Sequence, residues 1–255
     1  MLRLFSAAAL AASLAFAPAT SSGLGVRTPL ASAAAQPLAT VAQPTRPALQ
    51  AAAFDAQLGL DARADARISG LAEGQSPADF RQWLRGSAEA RTELGRFHDY
   101  LAARNVNSVV PLWQLVRTSS SWRECGAQPF EAPPEDKWDH IVRTLEFVRD
   151  DIVPAVGEVE ALSAYRNEAL NRCSDGAPAS AHRHFFALDL TPVNKAVERT
   201  AMIRSVCAAH ARDGARYEAG LGFYTGRRFH VDSSGYRKWG PNGKGATSPC
   251  VSGQA

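Results

Sequence analysis

Between Glu135 and Arg166 the chain changes its hydrophobic period, and that change limits the fold more than any other feature. In "EDKWDHIVRTLEFVRDDIVPAVG" the apolar residues Trp138, Ile141, Val142, Leu145, Val148 and Ile152 recur at helical spacing, which predicts a helix with one buried stripe. Pro154 and Gly157 are expected to end it. "EVEALSAYR" follows at once, with Val159, Ala161, Ser163 and Tyr165 alternating as on a strand. A long amphipathic helix leading straight into strands predicts an α+β domain.

The same reading extends both ways. Ser76 and Pro77 read as the cap and first position of a helix carrying Phe80, Trp83 and Leu84, and helical spacing resumes through Leu94, Phe97, Tyr100 and Leu101. A third long helix is expected from about Val193 to Asp213, closed by Gly214. The glycine-punctuated "AGLGFYTGRRFHVDSSGYRKW" predicts a hairpin, and the tail after it is expected to be loop pinned by Cys250. Residues 54–120 read as a helical extension, and 121–255 as the domain that carries the chemistry.

Residues 1–19 have a basic start at Arg3, a short apolar core and small residues at Ala17-Pro18-Ala19, the pattern of a signal peptide. Residues 20–53, rich in Ala and Pro with almost no charge, cannot bury enough apolar surface to fold and read as a disordered linker. A periplasmic or secreted protein is expected, without a membrane anchor once the signal is removed, and a monomer. Its four cysteines then suggest two disulfides, with Cys125–Cys173 and Cys207–Cys250 the favoured pairing of three possible ones. A net charge of +3 with interleaved acids and bases argues against a nucleic-acid partner.

The chemistry concentrates in "ASAHRHFFALDL", residues 179–190, where His182, His184 and Asp189 interrupt an apolar segment. Buried charges must be paired or bind a metal. On a helix His182 and Asp189 would lie about 10 Å apart, too far to grip one ion. On a strand, Phe185, Ala187 and Asp189 share one face, and a folded-back loop could bring His182 beside Asp189. "RRFHVD" offers a further ligand, His230, with Asp232 on the same strand face. Two histidines and one carboxylate leave a position for water, the layout of catalytic zinc.

The run "LSAYRNEALN…GAPASAH…ALDL…GLGFY…RFHVD" resembles the zinc D-Ala-D-Ala carboxypeptidases and related murein endopeptidases, which share the hedgehog/DD-peptidase fold. Ser180, His182, Ala187 and Asp189 match the family pattern, with Phe185 where Gly is usual, and Gly222, Phe223, Tyr224, His230 and Asp232 match its closing hairpin. The resemblance implies a small antiparallel sheet flanked by helices. It implies Zn2+ held by His182, Asp189 and His230, and peptidoglycan peptides as substrate. Arg166 would bind a substrate carboxylate or stabilise an oxyanion, and Ser180 and Tyr165 would help to hold the substrate. Relatives often place a base two or three residues before the last ligand, where this chain has Arg228 and Arg227. Asp232, then His184, are the candidate bases. The rival expectation is a cell-wall-binding protein that keeps zinc without catalysis.

Overall fold

The structure, a computed structural model, describes residues 71–251. The signal peptide, the linker and the first part of the helical extension, residues 54–70, lie outside the described residues.

Helix α1 (Pro77–Arg85) starts on a reciprocal cap, the Ser76 hydroxyl accepting from the Asp79 amide and the Asp79 carboxylate accepting from the Ser76 amide. Helix α2 (Ala88–Ala102) follows, capped by Ser87. After the short α3 (Leu112–Leu115), the long amphipathic segment forms α4 (Trp138–Phe147), a π turn (Val148–Ile152) and α5 (Val153–Val156). Pro154 does not end this helix as its sequence suggests. The wider π turn restarts the hydrogen-bond ladder, so Pro154 falls in the first turn of α5, where its missing N–H costs little. The stop is Gly157, whose φ of 79° is open to glycine without penalty.

Strand β1 (Val159–Ser163), helix α6 (Glu168–Cys173), strand β2 (Ala187–Pro192) and helix α7 (Arg199–Asp213) come next. Helix α7 begins six residues later than Val193 because Pro192 ends the strand and the Asn194 side chain accepts from the Ala196 amide, making a turn first. Strands β3 (Gly220–Phe223) and β4 (Phe229–Asp232) form the expected hairpin, and β5 (Arg237–Trp239) adds a parallel edge beside β3. The sheet order is β1-β2-β4-β3-β5. The architecture is α+β, a five-stranded sheet flanked by helices.

One hydrophobic core joins the early helices to the sheet. Phe80 and Phe97 are fully buried with Leu188, Leu190 and Val231 in a single cluster. Phe97 packs at 5.1 Å on Trp138 and at 5.8 Å on Phe185. A buried ion pair, Arg117 to Glu160 at 2.8 Å, ties the segment before the sheet to β1, and the Ala164 amide donates to the Arg117 carbonyl. Disulfides link Cys125 to Cys173 and Cys207 to Cys250. None of the helices among the described residues is long and apolar enough to cross a membrane.

Candidate metal centre and its cavity

One row of the sheet carries the site. Ser163 on β1 lies opposite Asp189 on β2, Asp189 opposite His230 on β4, His230 opposite Gly222 on β3, and Gly222 opposite Trp239 on β5. Residues in register across strands share a face and touch. The row beside it runs Ala187, Asp232, Gly220, Arg237.

His182 reaches the row from outside the sheet, on a 3-10 turn (Ala181–His184) that precedes β2. The turn ends at Phe185, which takes the left-handed conformation at φ 60° and ψ 29°. That conformation explains the glycine usual at this place. Here a phenylalanine bears the strain, and its fully buried ring packs against Phe97 and Tyr165 in the core. It leaves the site unobstructed.

Among the described residues, His182, Asp189 and His230 are the group whose ligand atoms lie within 4.8 Å of one another. The hydrogen bonds fix which atoms face inward. His182 Nδ1 donates to the Ala164 carbonyl at 2.6 Å, so Nε2 carries the free lone pair. Nε2 is buried with no hydrogen-bond partner, and the Asp189 Oδ1 that it faces at 3.4 Å is also an acceptor. His230 is turned the other way: Nε2 donates to Asp232 Oδ2 at 2.8 Å, and Nδ1 stands 3.2 Å from Asp189 Oδ1. Asp189 Oδ2 is taken by Arg166 Nη2 at 2.7 Å and Arg228 Nη2 at 2.6 Å, while Oδ1 accepts from the Tyr224 hydroxyl at 2.9 Å.

Two imidazole nitrogens and a carboxylate oxygen meet at one buried point, a donor set that a divalent cation can bridge. Donors bonded tetrahedrally to zinc at about 2.0–2.1 Å sit about 3.3 Å apart, which is the spacing seen between Asp189 Oδ1 and the two imidazoles. The residues fit a divalent metal.

The electrostatics keep His182 neutral and Asp189 ionised. Burial, helped by the nearby Arg166, lowers His182 to about 4, so its ring is neutral near pH 7. Burial alone would raise Asp189, but His182, His230 and Arg228 hold it well below the usual carboxylate range. Burial also disfavours the His230 cation, and the carboxylates of Asp189 and Asp232 outweigh it, raising His230. Burial pushes the Tyr224 hydroxyl up, and Asp189 pushes it further, so it stays a donor.

A cavity of about 460 Å³ opens beside His182 and His230. Arg166, Ser180, Tyr224, Asp175, Arg237 and Trp239 are among its walls. Of the residues expected to act on substrate, Arg166 and Ser180 are therefore placed at the cavity. Arg166 is also tied to Asp189 and, through Nε, to the Ser163 hydroxyl. Three others are placed elsewhere. Tyr165 is buried against Phe185, with Lys137 over its ring, because the alternation of β1 does not continue past Ser163. Asp232 is fully buried and accepts from His230, Ser234 and Arg237, so it is not free to take a proton. His184 is exposed and outside the cavity lining, its carbonyl accepting from His140 Nδ1 at 2.7 Å.

Sequence reasoning misses four contributors. Arg228, noted only as unfit to be a base, holds Asp189. Tyr224 bonds the same carboxylate. Arg237 grips Asp232, and Trp239 lies 5.3 Å from the His230 ring. The alternation Arg-Lys-Trp after "SSGY" is a signal for a further strand with Arg237 and Trp239 on one face.

No curated protein and no solved structure matches the chain. Residues 116–232, which hold all three inward-facing ligands and the arginines and tyrosine around Asp189, match the Peptidase M15 family.

Proposed function

We propose that the chain is an exported zinc metallopeptidase that hydrolyses peptide bonds of peptidoglycan stem peptides or cross-links. The observation that carries the reading is the orphaned His182 Nε2, buried and converging with Asp189 Oδ1 and His230 Nδ1. A zinc ion bound there supplies Lewis acidity, lowering the pKa of water and polarising a carbonyl.

The protein's own groups do the rest. Arg166 uses Nε and Nη2 on Ser163 and Asp189, which leaves Nη1 for a substrate carboxylate or the oxygen that gains charge as the amide is attacked. Ser180 adds a hydroxyl to the same wall. Asp232 orients His230 from behind. Asp175 is the only carboxylate among the described lining residues, which leaves it as the acid–base group available to the cavity. The disulfides and the apolar leader fit an exported protein.

A second reading, a metal-holding cell-wall binder without catalysis, draws on Arg227 and Arg228 standing where relatives carry a base. Hydrolysis separates the two. Purified peptidoglycan fragments are incubated with the mature protein, with and without zinc, beside His182→Ala, and products are weighed by mass spectrometry. A zinc-dependent product absent from the variant supports the peptidase and names the bond. One bound zinc with no product from any fragment supports the binder.

A further inference from the structure

The matched region stops at Asp232, yet the cavity does not. Arg237, Trp239, Pro241 and Gly243 all line it. These residues belong to β5 and the strap that follows it.

Two glycines let β5 reach the centre. A Cβ on Gly222 would sit 2.0 Å from the Trp239 indole, so the ring lies directly over the Gly222 backbone. A Cβ on Gly220 would sit 2.2 Å from Asp232 Oδ2 and 2.8 Å from Arg237 Nη1. The bare backbone of β3 is thus bridged twice, by Arg237 to Asp232 and by Trp239 toward His230. Trp239 is only partly buried, its ring tilted on His230 and edge-on to Tyr224, both at 5.3 Å.

The strap beyond β5 is folded by local bonds: Gly243 to Gly240, Thr247 to Lys244, Ser248 to Gly245 and Val251 to Ser248. Its far end is fastened to α7 by the Cys207–Cys250 disulfide.

We infer that Trp239 is a substrate-positioning residue, an aromatic wall against which the bound peptide packs, and that the Cys207–Cys250 disulfide is the clasp that holds this wall in place. The inference rests on the peptidase reading for the identity of the ligand. A flat, partly exposed indole beside the reacting centre offers a large rigid contact at little entropic cost.

The test uses the mature full-length protein and a synthetic stem peptide ending in D-Ala-D-Ala. Wild type, Trp239→Ala, Trp239→Phe and the double variant Cys207→Ser/Cys250→Ser are loaded with zinc. Peptide Kd is measured by calorimetry, zinc affinity by chelator competition, and KM and kcat where the peptide is cleaved. Trp239→Ala should weaken peptide binding about tenfold with zinc affinity unchanged, Trp239→Phe should restore most of it, and the double variant should weaken it in the same direction while staying folded by circular dichroism. Unchanged peptide binding in Trp239→Ala overturns the inference. So does a loss of zinc affinity, which would make the ring a buttress for His230. So does wild type that binds no peptide. A wild type that binds the peptide but leaves it intact counts against the peptidase reading alone, and the Kd comparison still decides the role of Trp239.

Discussion

His182 and His230 offer opposite ring nitrogens to the same buried point, Nε2 from one and Nδ1 from the other. Each choice is set from behind, by the Ala164 carbonyl for His182 and the Asp232 carboxylate for His230. The backing groups are therefore as testable as the ligands. Replacing either histidine with alanine should abolish stoichiometric zinc binding. Asp232→Asn keeps the shape and loses the charge, and should weaken zinc by about 10–100-fold. Chelator competition reads both, and an unchanged affinity in Asp232→Asn would remove Asp232 from the centre.

Phe185 opposes two effects whose sizes differ. Its left-handed backbone costs about 1–3 kcal/mol, and glycine would relieve most of that. Its fully buried ring against Phe97 and Tyr165 is worth about 3–5 kcal/mol on truncation. Packing should win: Phe185→Gly lowers the urea midpoint despite restoring the residue usual at this place. A rise in the midpoint would show that relief of the strain outweighs the lost packing.

Gly220→Ala places a methyl on the Asp232–Arg237 contact. The expected result is a fold of lower stability with weaker zinc affinity, because the carboxylate behind His230 must move. Thermal unfolding with and without zinc measures both, and a variant with wild-type zinc affinity would show that the sheet absorbs the methyl elsewhere.

Asp175→Asn should leave zinc affinity unchanged and lower kcat by about 10²-fold, the usual size of a lost acid–base group. Wild-type kcat in this variant would return the proton to water or to another group.

His210 gives a pH dependence away from the centre. It is 1 % exposed, its Nε2 donates to the Ala219 carbonyl at 2.8 Å, and burial lowers its pKa below the ordinary 6.5. The unfolded chain then takes up the proton first on acidification. The stability from the neutral ring is complete above about pH 6.5 and is lost as the pH falls toward the folded pKa. Urea midpoints at pH 8 and pH 5 should differ by less in His210→Gln than in the wild type, and an equal difference would assign the acid sensitivity to other groups.

Periodicity locates the helices and strands well because each has one buried face. It places His230 and Asp232 together, since strand alternation needs no tertiary knowledge. It does not place His182, whose route to the site is a turn closed by a left-handed phenylalanine. It extends β1 to Tyr165 and so puts that ring on the wrong side. Asp232 looks like a base because sequence shows a carboxylate near a histidine but not the four donors from Ser234 and Arg237 that occupy it. The roles of Arg228 and Trp239 depend on register across five strands, which no single segment encodes.

The row from Ser163 to Trp239 also sets an order of events. Its members come from all five strands, and the last to leave the ribosome is the cavity wall on β5. Because β5 follows every ligand in the chain, a chain still being made has the ligands but no assembled cleft. Maturation, in this arrangement, is a property of the sheet: the cleft is complete only once the final strand docks.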